Sequence, residues 1–151
     1  MDCNLTWASH RQKILSKLNR NIGTLRKLKG IVPTKIIKLL YSSFIQSNLY
    51  YCPTVWGLGP KYTLDKIFTA QKKAVRLLST NFINYKYDSK TGETAGHTKS
   101  LFNENEILTV HNIVYTQTLV LLNKVYNNIA PKRYVVYLRK TLNLTTHDIE
   151  L

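Results

Sequence analysis

The order of apolar and polar residues along the chain predicts four amphipathic helices. In each of four segments, apolar side chains recur at steps of three and four residues, which is the spacing of one helical face. The predicted helices span residues 7–29, 33–50, 63–79 and 107–127. Proline and glycine residues between the first three segments favour turns there. The pattern therefore predicts an all-α fold, a small helical bundle of about four helices with an irregular linker and tail.

The first predicted helix has two distinct faces. Its apolar face consists of six residues at helical spacing: Ile14, Leu15, Leu18, Ile22, Leu25 and Leu28. By the same arithmetic, Lys13, Lys17, Arg20 and Lys27 share another face. Like charges at this spacing repel one another by roughly a few tenths of a kcal/mol per pair. Because a phosphate backbone would offset that repulsion, this basic face is the best candidate binding surface.

The second and third predicted helices also carry periodic apolar faces. The face of the second helix consists of Ile36, Ile37, Leu40, Phe44 and Ile45. The stripe of the third helix consists of Leu64, Ile67, Gln71, Ala74 and Leu78. Lys72, Lys73 and Arg76 lie off that stripe and are further candidates for contact with a polyanion.

The periodicity divides the chain into four parts. Residues 1–79 form a basic helical unit, and residues 80–100 read as a loop because they are rich in Gly, Ser, Thr and charge. Residues 101–130 are predicted to supply a further helix that packs on the bundle. Residues 131–151 form a tail whose structure the pattern does not assign.

An uncharged run at residues 39–60 interrupts this basic chain. A membrane span needs about 20 predominantly apolar residues, and polar residues, Gly and Pro break the run, so a span is not predicted. Pro53 stops the second helix, and the glycines that follow shape an elbow before the third. Trp56 in this elbow can pack in the core or stack on bases, and core packing is favoured. Cys52 is expected to be a small buried hydrophobe.

Charge is distributed unevenly along the chain. The protein has 22 basic and eight acidic residues, a formal net charge of +14. Residues 1–78 carry a net +12, from 14 basic residues and two acids, whereas residues 79–151 carry a net +2. This asymmetry favours a polyanionic partner, either nucleic acid or an acidic membrane surface. Peripheral membrane binding needs Trp or Phe along the apolar side of an amphipathic helix, and Trp7 contributes little to that.

No pattern of catalytic or ligand-binding residues stands out. The acids never come closer than two positions apart, and the four histidines show no metal-ligand spacing with Cys, Asp or Glu. Cys3 and Cys52 form no CxxC pair, which argues against a zinc site or a disulfide framework. We therefore expect no catalysis, metal or cofactor, and an intracellular location in the nucleus or the cytoplasm.

Several segments together resemble a known family. The chain is similar, from about Asp2 to Pro131, to the region that follows the polymerase core in non-LTR (LINE-type, jockey-like) retrotransposon reverse transcriptases. The order and spacing of the segments carry the resemblance: "NLTWASH", "KLNRNIGTLRKLKGIVP", "LYSSFIQSNLYYCPTVWG", "LDKIFTAQKKAVRLL", "HTKSLFNENEILTV" and "NIVYTQTLVLLNKVYNNIAP". The chain departs from the family at Arg11, where an apolar residue is usual, and ends before the expected basic, asparagine-rich stretch.

This resemblance implies a thumb-and-connector segment that grips a template–primer duplex of RNA or DNA. It also implies that the paired catalytic aspartates lie upstream of Met1, in palm and fingers domains that would be partners of this segment. The expected contacts are with backbone phosphates and are independent of base sequence. The candidate binding residues are Lys13, Lys17, Arg20, Lys27, Lys72, Lys73 and Arg76. The alternative function is a helical protein-interaction module whose basic face meets an acidic protein.

Overall fold

A computed structural model describes residues 7–79, 98–127 and 129. These residues are mostly helical and contain no strand, which confirms the predicted all-α class. The helices are α1 (Ala8–Leu28), α2 (Thr34–Tyr41), α3 (Ser47–Tyr50), α4 (Pro53–Trp56), α5 (Lys61–Arg76), α6 (Thr98–Glu104) and α7 (Val110–Tyr126). A π-helical turn, Ser42–Gln46, joins α2 to α3 without a break. The four predicted segments correspond to α1, to α2 through α3, to α5 and to α7.

Helix α1 lies against α5 on one flank and against α2 and the π-helical turn on another. Its predicted apolar face is confirmed: Ile14, Leu18, Ile22 and Leu25 are buried, and the other two members are half-buried. The helix ends just before Gly30, whose φ of 93° lies in the left-handed region that glycine tolerates best. α1 is therefore the long element around which the first half of the chain packs.

The continuous helix from α2 to α3 buries part of the predicted face: Ile37 and Ile45 are buried, and Leu40 is half-buried. Its buried residues are Ile37, Tyr41, Ile45 and Leu49, at steps of four. In an α-helix each step of four residues overshoots a full turn by about 40°. The π-helical turn holds more residues per turn than an α-helix and reduces that drift, so the four side chains stay on one line. Ile36 and Phe44, which were predicted to share the buried face, are exposed.

The elbow that follows is buried at its tryptophan but not along its whole length. Trp56 is completely buried in the one-turn helix α4, and its Nε1 donates a hydrogen bond to the Tyr51 carbonyl at 2.8 Å. The predicted core packing of Trp56 is thus confirmed. The prediction for Cys52 was wrong, because its side chain is exposed and its backbone adopts a left-handed φ of 47°. The turn needs this conformation to separate α3 from α4.

Buried Gln71 on α5 holds the start of α7. Its Nε2 donates to the Leu108 carbonyl at 2.8 Å, and its Oε1 accepts the Val110 N–H at 2.8 Å. Thr109 between them caps α7, since its hydroxyl accepts the Asn112 N–H at 3.2 Å. α7 therefore begins three residues later than predicted, where these polar contacts end the extended segment.

The short helix α6 was not predicted. It begins at Thr98, inside the stretch assigned to a loop, and packs on α5 through buried Leu101 and Phe102. A seven-residue helix supplies too few turns to reveal its period in sequence. The remainder of the predicted loop, residues 80–97, and the predicted tail, residues 131–151, lie outside the described residues.

Candidate nucleic-acid interface

The exposed face of α1 carries the predicted basic stripe. Lys13, Lys17, Arg20 and Lys27 are all exposed, on the side of α1 roughly opposite its buried residues. The helix has 21 residues and is therefore about 32 Å long. Lys29 does not belong to this stripe, because its Nζ donates to the Ser79 carbonyl at 2.8 Å and burial lowers its pKa. The four stripe residues thus form an accessible cationic ridge.

An open groove of about 660 Å³ runs between α1 and the helix that contains the π-helical turn. We call it the aromatic groove; its lining is His10, Lys13, Ile14, Lys17, Asn21, Ser43, Phe44, Ser47, Asn48 and Tyr51. It contains two residues of the basic stripe, the rings of His10, Phe44 and Tyr51, and no acidic side chain. Tyr51 is 68% exposed and Phe44 is 38% exposed, so both rings are accessible to a ligand.

Hydrogen bonds fix the polar part of the aromatic groove. The Phe44 carbonyl accepts Asn21 Nδ2 at 2.7 Å and Asn48 Nδ2 at 2.5 Å. The first of these bonds ties α1 to the π-helical turn across the groove. Each amide retains a further donor hydrogen and its oxygen acceptor, so the groove offers polar groups in defined positions beside its rings. π-helical turns inside α-helices frequently occur at functional sites.

A second, smaller groove lies on the other flank of α1, against α5. Lys66 and Lys73 line it together with Leu15 and Asn19 of α1. Lys73 is exposed at this groove. Lys66 is placed over the ring of Tyr62, with its Nζ 5.7 Å from the ring centroid. Asp65 also lines this groove and none of the four stripe residues does, so Lys66 and Lys73 form a basic site separate from the stripe.

The structure does not bring all seven predicted residues to one surface. The Nζ of Lys72 lies 4.5 Å from the centroid of the Phe68 ring, a cation–π contact that engages the charge within α5. The Phe68 ring in turn meets His111 of α7 edge to face, at 5.0 Å between centroids. Arg76 is half-buried in the last turn of α5. The stripe on α1 with Lys73 is therefore the more accessible part of the predicted set.

Acidic groups are nearly absent from this half of the molecule. Residues 7–79 contain 14 Lys and Arg residues and one acid, Asp65. The Asp65 carboxylate contacts the imidazole of His111, with 3.1 Å between Oδ1 and Nε2. It lies in α5, beyond the aromatic groove's lining. The field at the α1 surface is thus positive, which attracts a polyanion.

Arg11 was not predicted as a structural or functional residue, although its spacing indicates a buried position. It precedes Ile14 by three residues and Leu18 by seven, so it lies on the apolar face of α1. The side chain is 5% exposed, and its Nη1 donates to the Trp56 carbonyl at 3.1 Å. Arg11 therefore holds the elbow and takes no part in the exposed stripe.

The described residues provide neither a metal centre nor a membrane span. In residues 7–79 and 98–127, no three His, Cys, Asp or Glu side chains group together so as to hold a metal ion. None of the helices in these ranges has the length and apolar character that a membrane crossing requires.

Comparison of the chain with protein-family models, with curated proteins and with solved structures gave no match. The resemblance to LINE-type reverse transcriptases therefore stays a prediction from the sequence.

Proposed function

We propose that this chain is a fragment of a LINE-type RNA-directed DNA polymerase, its thumb/connector segment, and that it binds a template–primer duplex through backbone phosphates. The observation that carries the proposal is the exposed basic stripe, Lys13, Lys17, Arg20 and Lys27, which extends along about 21 Å of α1. Phosphates follow one another along a duplex, so a straight row of cations is a suitable counterpart. The resemblance of the sequence to this family points to the same partner.

The proposed contact is independent of base sequence. Lysine ammonium groups bind phosphates as point charges, and such contacts position a protein on a duplex without reading its bases. The fragment is proposed to bind without catalysing nucleotide addition, for which primer extension is the assay. In a full-length element, palm and fingers domains would supply the catalytic carboxylates.

The salt dependence of binding tests the proposal. Each phosphate contact contributes about −0.9 to the slope of log affinity against log salt. Four contacts predict a loss of affinity of roughly a hundredfold between about 50 and about 200 mM salt. Changing all four stripe residues to Gln should flatten this slope and weaken duplexes of any sequence alike. Helicity should remain, because Gln is a good helix former.

A matched control removes the same charge from elsewhere on the surface. Lys35, Lys61, Lys99 and Lys124 are exposed and lie on four other helices. Changing these four to Gln should leave most of the affinity and of the slope. Equal losses in the two quadruple variants would mean that the chain is a diffuse polycation without a duplex-binding face.

The alternative function is a helical module whose basic face binds an acidic protein. Competition separates the two: polyglutamate should displace a labelled duplex poorly at matched charge if phosphates are the ligands. Efficient displacement by polyglutamate would favour the acidic protein partner.

A further inference from the structure

The aromatic groove differs in chemistry from the basic stripe beside it. A duplex covers the faces of its bases by stacking, so phosphate contacts need only cations. The groove adds two exposed rings, Phe44 and Tyr51, to the ammonium groups of Lys13 and Lys17. Rings next to cations are the combination with which proteins hold single strands, whose bases stack on aromatic side chains.

The Tyr51 ring is exposed but its backbone is firmly held. The Tyr51 carbonyl accepts the indole N–H of fully buried Trp56 at 2.8 Å. Phe44 is held in the same way, through the two amide hydrogen bonds to its carbonyl. The backbone that carries both rings is therefore fixed, while the rings themselves stay outside the core. Such preorganisation reduces the ordering cost of binding.

The lysines and the asparagine amides of the groove are placed where one strand of nucleic acid could contact both. Lys13 and Lys17 stand one helical turn apart, about 6 Å along α1, on the wall opposite the π-helical turn. Asn21 and Asn48 retain donor and acceptor capacity toward the groove. A strand laid along the groove would place its phosphates against α1 and its bases against the rings and amides.

We infer that the aromatic groove binds a single-stranded segment of RNA or DNA, with bases stacked on Tyr51 and Phe44 and phosphates paired with Lys13 and Lys17. This inference rests on the proposed duplex contact in that the two lysines belong to both surfaces. The single strand would be the unpaired continuation of a duplex lying on α1. No base is specified, because every base has a face that can stack.

Fluorescence anisotropy with three kinds of labelled probe tests this inference. The probes are single strands of oligo-dT and oligo-U, a blunt duplex, and the same duplex with an unpaired overhang. Tyr51→Ala should weaken single-strand binding roughly 5- to 100-fold and abolish the gain from the overhang. It should leave the blunt duplex unchanged, because the side chain lies off the phosphate path. Tyr51→Phe should behave as the parent, since it keeps the ring.

The matched control is Tyr115→Ala, which removes a tyrosine that is 66% exposed on α7, away from the groove. It should leave binding to every probe unchanged. In parallel, a photoreactive halogenated pyrimidine in the overhang should cross-link to Tyr51 or Phe44. The inference is wrong if Tyr51→Ala binds single strands as the parent does, or weakens the blunt duplex by the same factor.

Two outcomes separate this inference from the proposed function. Tyr51-dependent binding of single strands, with no binding of the blunt duplex, would support the groove and overturn the duplex proposal. Salt-sensitive binding of the blunt duplex, with no effect of Tyr51→Ala on any probe, would support the duplex proposal and overturn the groove.

Discussion

At the scale of single residues, a few buried polar contacts hold the elbow between α3 and α5. Arg11 reaches from α1 to the Trp56 carbonyl, and the Trp56 indole reaches back to the Tyr51 carbonyl. Gly59 makes room for the guanidinium, since a Cβ there would lie 2.0 Å from Arg11 Nη1. The Trp56 carbonyl and the missing side chain at Gly59 thus accommodate one end of the guanidinium, whereas the buried Nε of Arg11 has no hydrogen-bond partner among the described residues.

Trp56→Ala should destabilise the fold strongly. Removing a fully buried tryptophan leaves a cavity and deletes the hydrogen bond to Tyr51, at a cost of about 3–5 kcal/mol. Urea denaturation followed by circular dichroism would measure the change, with exposed Tyr115→Ala as a control that should shift stability by less than about 0.5 kcal/mol. A Trp56→Ala variant as stable as the parent would contradict the buried elbow.

At the scale of elements, the close approach of α4 and α7 depends on one glycine. α4 packs against α7, and Gly57 lies at that contact. A Cβ at Gly57 would lie 2.4 Å from Val114 Cγ2 and 2.5 Å from the Pro53 carbonyl oxygen. Gly23, in the middle of α1, has open space around the position of a Cβ. The two glycines therefore differ in kind: the first permits helix packing, and the second only weakens a helix.

Alanine substitutions at these two glycines should change stability in opposite directions. Gly57→Ala should cost about 1–3 kcal/mol, because the Pro53 backbone cannot yield to the new methyl group. Gly23→Ala should stabilise by about 0.5–1 kcal/mol, because alanine is the better helix former. Thermal unfolding of the two variants and the parent would show whether stability falls in the first and rises in the second. Stabilisation by Gly57→Ala would mean that α4 and α7 are further apart than described.

At the scale of the whole molecule, a central polar contact lies between the helices. The Tyr41 hydroxyl of α2 lies 3.4 Å from Gln71 Nε2 on α5. The Gln71 amide also hydrogen-bonds to the Leu108 carbonyl and the Val110 N–H at the start of α7. Tyr41 is fully buried, and burial raises its pKa to about 12. Ionisation of this hydroxyl is therefore coupled to unfolding of the bundle.

Stability should fall at alkaline pH in a way that depends on Tyr41. Below about pH 10 the hydroxyl is protonated in both states, so its contribution is constant. Between about pH 10 and about 12 the unfolded chain releases the proton while the folded chain keeps it, which costs about 1.4 kcal/mol per pH unit and about 2–3 kcal/mol in all. Above the folded pKa the loss levels off.

Tyr41→Phe isolates the contribution of this one hydroxyl. The variant lacks the hydroxyl, so its free energy of unfolding should decline less between about pH 10 and about 12 than that of the parent. Exposed Tyr115→Phe should retain the parental decline. Denaturant titrations at a series of pH values would measure the three slopes. Identical slopes for all three proteins would contradict the burial of Tyr41.

The sequence by itself determined the helical class, the buried face of α1, the stripe of α5 and the exposure of the basic row. These follow from local periodicity, because a residue's place on a single regular helix depends only on its spacing. Tertiary structure decided what depends on distant partners. The π-helical turn keeps Ile45 and Leu49 in line with the buried residues of α2, Gln71 sets the start of α7, and α6 packs on α5.

In the candidate site, too, some features follow from the sequence and others only from the packing of helices. Lys13, Lys17, Arg20 and Lys27 could be assigned to one face from spacing alone, whereas the aromatic groove needed the approach of two helices that are separate in sequence. Arg11 was on the apolar face by its spacing, yet only the position of the Trp56 carbonyl explains how its charge is buried there. Local periodicity fixes which residues share a helix face, and only the packing of helices determines which side chain from another segment lies opposite.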